Sequence, residues 1–191
     1  MSLVMTTPPA LEPVTVAEAK AHLRVDGDAE DILIGSLVLT SRLHIEAALG
    51  LALITQSWTL ALDRWPRGNH IDLPMTPLQS VDDVRVVNGA GIVMIIPAES
   101  YLVDLASRPG RLVWNNTIPP IPGLPANGIE IDFTAGFGAT ADSVPAPLKH
   151  AILMLTAHWY EHRDPDDIGT SAAQVPAAVS DLIQPFRTIR L

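Results

Sequence analysis

The apolar residues of this chain change their spacing twice, and those two changes constrain the fold more than any other feature. Up to about Leu49 they recur every three or four residues, from Ile54 to Thr134 they alternate, and from Pro145 the helical spacing returns. A helix buries one stripe and a half-buried strand buries one face. Helices at both ends with strands between them therefore predict an α+β fold: a helical base of two N-terminal helices and the C-terminal helices, with a central antiparallel β insertion. We read the 191 residues as a single domain, helical over 15–50 and 145–184, with the insertion at about 54–134 and a C-terminal tail at 185–191.

Local signals refine the ends of the helices. Thr15-Val16-Ala17-Glu18 is a capping box that opens a short helix reaching about Leu23. Asp26-Gly27-Asp28 breaks it, and Asp28 is the expected N-cap of a second helix that runs to about Leu49, with Gly50 as its C′ residue. Ile34, Leu37, Val38, Ser41, Ile45 and Ala48 form one stripe on that helix, while Ile32, Leu33, Leu39 and Leu43 fall outside it. More than one face is apolar. Such a helix packs on several neighbours or on another subunit, and Ile34, Leu37, Val38 and Ile45 are the expected subunit-interface residues. A third helix starts at Pro145-Ala146-Pro147, carries the stripe Leu148, Ile152, Leu155 and Trp159, and ends at Asp164-Pro165. Residues 166–174 read as a mobile linker. A final short helix runs from Pro176 to Pro185 with Val179, Leu182 and Ile183 apolar.

Strands are expected at 54–62, around Val84 and Val86, at 92–96, 100–104, 111–115 and 128–134. In the last, Ile129, Ile131 and Phe133 face one way and Glu130, Asp132 and Thr134 the other, as in an antiparallel sheet with one wet face. Asn88-Gly89-Ala90-Gly91 is a hairpin signal. The four prolines of residues 117–126 forbid regular pairing and predict a stiff, exposed loop.

Charge and composition exclude several classes of function. Twelve basic residues against 21 acidic give a net charge of -9, which disfavours direct binding to duplex DNA. An acidic wall could still line a path along which DNA slides. With no cysteine, disulfides and thiolate metal sites are ruled out. The N-terminus has no signal-peptide pattern, and residues 89–98, the longest weakly polar stretch in this reading, are too short to span a bilayer, so no membrane association is expected. Only 17% of residues are charged, which suits a surface partly covered by other subunits.

One segment has the form of a metal site. His158-x-x-Glu161-His162 matches the H-x-x-E-H pattern of inverted zinc peptidases, in which two histidines one helical turn apart share zinc beside a glutamate base. Those enzymes take a third ligand from a downstream glutamate, and none follows Glu161 here. His150 lies on the same stripe, but eight residues place it ~12 Å away along the axis. Histidine at a helix C-terminus also favours the negative end of the macrodipole. The pattern is therefore read as a helix end, with a small zinc-dependent hydrolase as the alternative. No other cofactor is indicated. Asp82-Asp83 reads as a strand lead-in and Glu30-Asp31 as the first turn of a helix.

Taken in order, several blocks carry a resemblance. They are E-P-V-T-V-A-E-A-K-A-H-L-R-V-D (12–26), E-D-I-L-I-G-S-L-V-L-T-S-R (30–42), A-L-I-T-Q-S-W (52–58), L-P-M-T-P-L-Q-S-V (73–81), F-T-A-G-F-G (133–138), V-P-A-P-L-K-H-A-I-L-M-L-T-A-H-W-Y-E-H-R (144–163) and L-I-Q-P-F-R (182–187). The series resembles the head–tail connector (adaptor) proteins of tailed phages and gene transfer agents. It departs from many members at Val87-Asn88, where they carry a tyrosine and an acid. The resemblance implies a non-catalytic structural protein, made in the bacterial cytoplasm and located at the neck of a phage or phage-like particle. It implies a ring of about twelve copies beneath the portal protein, joined by heterologous contacts. The ring would extend the DNA channel towards a stopper or tail-proximal neck protein, with DNA passing without sequence-specific binding. It also implies a portal-binding tail, here Phe186, Arg187, Ile189, Arg190 and Leu191.

Overall fold

The capping box forms as expected in the computed structural model, which describes residues 1–115, 118–162 and 175–187. The Thr15 hydroxyl accepts from Glu18 N–H at 3.1 Å and the Glu18 carboxylate accepts from Thr15 N–H at 2.7 Å, opening α1 (Val16–Leu23). These bonds hold the Glu18 carboxyl below its ordinary pKa. The second helix, α2 (Asp31–Leu49), has Glu30 at its N-cap position, with no side-chain capping bond, where Asp28 was expected. Lys20 takes the Asp28 carboxylate at 3.0 Å and Asp31 at 2.7 Å, so Asp28 joins an ion-pair cluster instead of a helix end. Gly50, at φ 65°, closes α2 in the left-handed region where a Cβ would be strained.

The chain, one domain in the sequence reading, separates into two compact units: Met1–Ala10 with Thr55–Phe137, and Leu11–Ile54 with Gly138–Leu191. In the helical unit, α2 packs on α3 (Ala146–Glu161), and α3 on α4 (Ala177–Ile183), which a 3-10 turn at Gln184–Phe186 extends. Ile34, Val38 and Ile45 meet Leu148, Ile152 and Leu155 in this core, all at most 1% exposed. Burying each such side chain contributes about 1.5–3 kcal/mol. Trp159, expected in the same stripe, is only half-buried, with its ring edge-on to His44 at 5.7 Å. By length and composition α2 could cross a membrane, more readily than residues 89–98. Yet it buries Ser41, Arg42 and Glu46, as a core helix with satisfied polar groups does. Ser41 shares a 3.0 Å hydrogen bond with Thr156 of α3.

The other unit is a β structure. Its strands are β1 (Ser2–Thr7), β2 (Gln56–Leu62), β3 (His70–Asp72), β4 (Leu78–Val87), β5 (Val93–Ile95), β6 (Tyr101–Asp104), β7 (Arg111–Trp114) and β8 (Ile129–Ala135). Five of them form an antiparallel sheet in the order β1-β2-β8-β4-β5, and three form a second in the order β3-β7-β6. The alternation in β8 is as expected: Ile129, Ile131 and Phe133 are fully buried. Ile131 lies between Leu60 of β2 and Val84 of β4, both buried. On the opposite face Asp132 lies between Thr59 and Asp83.

Two strands were not expected, β1 and β3. The three residues of β3 are too few to display a period, and it forms by pairing with β7. Asp82-Asp83 is not a lead-in but lies within β4, at a bulge between Val81 and Asp83. The proline-rich loop is irregular and exposes Ile118 and Ile121, as expected, but it is also tied down. Trp65 Nε1 donates to Pro120 O at 2.7 Å, and Gly123 N–H donates to Val87 O at 2.9 Å.

Candidate interaction surfaces

The zinc pattern falls on the last turn of α3. The His158 and His162 rings lie 4.5 Å apart, and His162 Nδ1 is 2.8 Å from the His158 carbonyl oxygen. A nitrogen donating to that carbonyl is not available to a metal, which leaves Nε2 as the free ligand atom of His162. His150 is engaged elsewhere, its ring edge-on to His22 at 6.0 Å. Among the described residues no group of three histidines, cysteines or carboxylates is placed to hold a metal ion. Tyr160, between the two histidines in sequence, donates to Glu30. The turn packs against the start of α2 as a helix end does.

An apolar groove of about 290 Å³ opens beside α1 and α2, lined by Leu11, Val14, Val16 and Val38 among others. Its polar members, Glu12 and Thr15, already hold Arg42 and the capping box. Among the described residues no free polar groups converge there to orient a small molecule, as a ligand pocket requires.

The wet face of the large sheet carries Asp83, Glu130 and Asp132 around Arg85, whose nitrogens lie 3.3, 3.0 and 2.7 Å from them. Partial burial works against the Arg85 charge, but Asp132 and Glu130 outweigh it and hold the guanidinium above its ordinary pKa. Three acids around one base leave a net negative patch. Thr59 and Thr134 donate to Asp132 and Asp82, which fixes two carboxylates in place.

The expected subunit-interface residues need correction. Ile34, Val38 and Ile45 are at most 1% exposed in the chain by itself, so they are core, and Leu37 is half-buried. Side chains already removed from water have no surface left to offer a second copy. What α2 does present is the set outside that stripe: Ile32 at 91% exposed, with Leu33, Leu39 and Leu43. Of the tail, Phe186 is half-buried in the 3-10 turn and Arg187 is exposed. Ile189, Arg190 and Leu191 lie outside the described residues, as do the 166–174 linker and the Asp164-Pro165 helix stop.

Sequence reasoning passed over a second apolar surface. Ile92, Val93, Met94 and Ile95 are all exposed along β5, and Leu102 and Leu105 are exposed in and after β6. The signal for the first was an unbroken apolar run, I-V-M-I-I, where a half-buried strand would alternate.

These features define a class: an α+β protein whose distinctive surfaces are apolar faces and edges, with no assembled reaction centre among the described residues. No family model matches the sequence, and no curated protein does. Solved structures do. A chain in the virion of a native gene transfer agent particle aligns with a TM-score of 0.85 at 31% identity, over 100% of this chain and 97% of that one. Chains in the neck of an empty particle, computed with C6 symmetry, and in the neck of a native particle, computed with C12 symmetry, align with TM-scores of 0.84 and 0.80 at the same identity and coverage. The chain belongs to the head–tail connector (adaptor) family of tailed phages and gene transfer agents. It is therefore a structural protein of the neck of a phage-like particle, and among the described residues nothing assembles the metal site that the zinc-hydrolase alternative needs.

Proposed function

We propose that about twelve copies of this chain close into a ring beneath the portal protein, extend the DNA channel, and present their far side to a stopper or tail-proximal neck protein. The end-to-end similarity to neck chains, one of them in an assembly of C12 symmetry, carries this reading. Exposed apolar residues support it: Ile32, Leu33, Leu39 and Leu43 on α2 are available to neighbouring copies in place of the buried stripe. At -9 per copy, a ring of about twelve carries on the order of 100 excess negative charges. Acids facing the lumen would keep DNA from adhering and let it slide.

In this reading the tail attaches the ring to the portal, with Phe186, Ile189 and Leu191 as apolar anchors and Arg187 and Arg190 as charge-assisted donors. Deleting residues 186–191 tests it. The truncated protein should retain the far-UV circular dichroism of the full chain yet lose at least about tenfold in affinity for purified portal, or about 1.4 kcal/mol. Full loading of the truncated protein onto portal-bearing heads would refute the tail assignment.

A further inference from the structure

The two outer strands of the large sheet are β1 and β5, and among the described residues neither has a partner on its outer side. Hydrogen bonds fix which way β5 faces. Ile96 N–H donates to Val84 O at 2.8 Å, and Ile92 O accepts from Asn88 N–H at 3.0 Å. Backbone groups alternate in direction along a strand, so Ile92, Met94 and Ile96 turn theirs towards β4. Val93 and Ile95 turn theirs to the open edge.

Edge strands in proteins that remain single are shielded by charges, prolines or a covering segment. Neither edge strand here has a charged or proline residue: β1 is S-L-V-M-T-T and β5 is V-M-I. Along β5 and the residue before it, Ile92, Val93 and Ile95 are 60%, 54% and 67% exposed, and Val4 of β1 is 55% exposed. Both edges combine open backbone groups with apolar side chains.

Their directions are compatible. In a sheet of five antiparallel strands the first and last run the same way. Four antiparallel steps give β1 and β5 the same polarity, so a copy whose sheet continues this one in the same sense, twist included, brings its β1 to β5 in parallel. Because the two edges differ, the contact is heterologous and repeats head to tail until it closes. The cyclic symmetry of the similar necks is of the kind that such contacts generate.

We propose that the open edge of β5, through the backbone of Val93 and Ile95, receives β1 of a second copy of this chain, so that the large sheet continues from one subunit to the next. This rests on the ring reading above.

Cross-linking tests it directly, because the chain has no cysteine of its own. Leu3→Cys, Val4→Cys and Met5→Cys are each combined with Val93→Cys or Met94→Cys in the full chain, assembled with purified portal and oxidised. Neighbouring parallel strands lie within disulfide reach, so at least one combination should give a ladder of covalent multimers, and Val93→Cys alone should not. Independently, Val93→Lys with Ile95→Lys should raise the concentration for half-assembly at least about tenfold without changing the circular dichroism. Three outcomes overturn the proposal while leaving the ring intact. They are covalent dimers from Val93→Cys alone, rings without a ladder from any combination, and normal assembly of the double lysine variant. Failure of the unmodified chain to form any ring with portal would remove the ring reading itself.

Discussion

Arg42 is 4% exposed, Glu46 is 5% exposed, and together with Glu12 they form the most deeply buried charged group among the described residues of the helical unit. Arg42 Nε lies 2.7 Å from Glu12, its Nη1 bonds Glu46, and Glu46 also accepts from Leu53 N–H at 2.8 Å. Burial works against the guanidinium charge, but the two carboxylates outweigh it and hold its pKa above the ordinary value. Removing Glu46 leaves the buried Arg42 charge with one carboxylate in place of two, and that one is partly exposed. Glu46→Ala should therefore destabilise the protein by about 3–5 kcal/mol in urea unfolding, and a loss below about 1 kcal/mol would show that the group is solvated. Asp104 offers a pH-dependent counterpart. The Ser107 hydroxyl and then Arg111 lower its pKa from 3.8 to about 2. A carboxyl whose pKa falls on folding stabilises above its unfolded value and loses that contribution as pH drops through the folded one. The stability difference between the protein and Asp104→Asn should thus be constant above about pH 5 and shrink between 3.8 and about 2. A constant difference across that window would contradict the assignment.

Elements with a sustained period were legible in the sequence, because a buried face imposes its spacing on every turn or residue pair. α2, α3, β2 and β8 fall where periodicity puts them. β1 and β3 did not stand out, since an edge strand and a three-residue strand are set by pairing to β2 and β7, which no local pattern records. Asp28 failed as a cap because Lys20, eight residues earlier, claims it. The interface assignment failed differently. Periodicity identifies the most apolar stripe of a helix, and on α2 that stripe is taken by the core. The residues outside it were visible in sequence as a second apolar face, and they are the ones left exposed. The proline-rich loop shows a related limit. A Cβ on Gly123 would lie 1.8 Å from Gly89 N, so the loop's approach to the β4–β5 turn needs a glycine there, and only the folded chain reveals why.

For the whole molecule, the proposed ring uses apolar surfaces to join copies of the chain to each other and to a larger particle. Few charges, an acidic balance and greasy patches on both units belong together in a subunit that is covered when assembled. Family membership sets the neck as its place, and the ring and the portal contact are what the apolar surfaces would serve. Electron microscopy of the full-length protein mixed with purified portal tests this most directly. The expected result is closed rings of about twelve copies, coaxial with the portal. Protein that stays monomeric beside intact portal rings, at concentrations well above those in an infected or particle-producing cell, would contradict it.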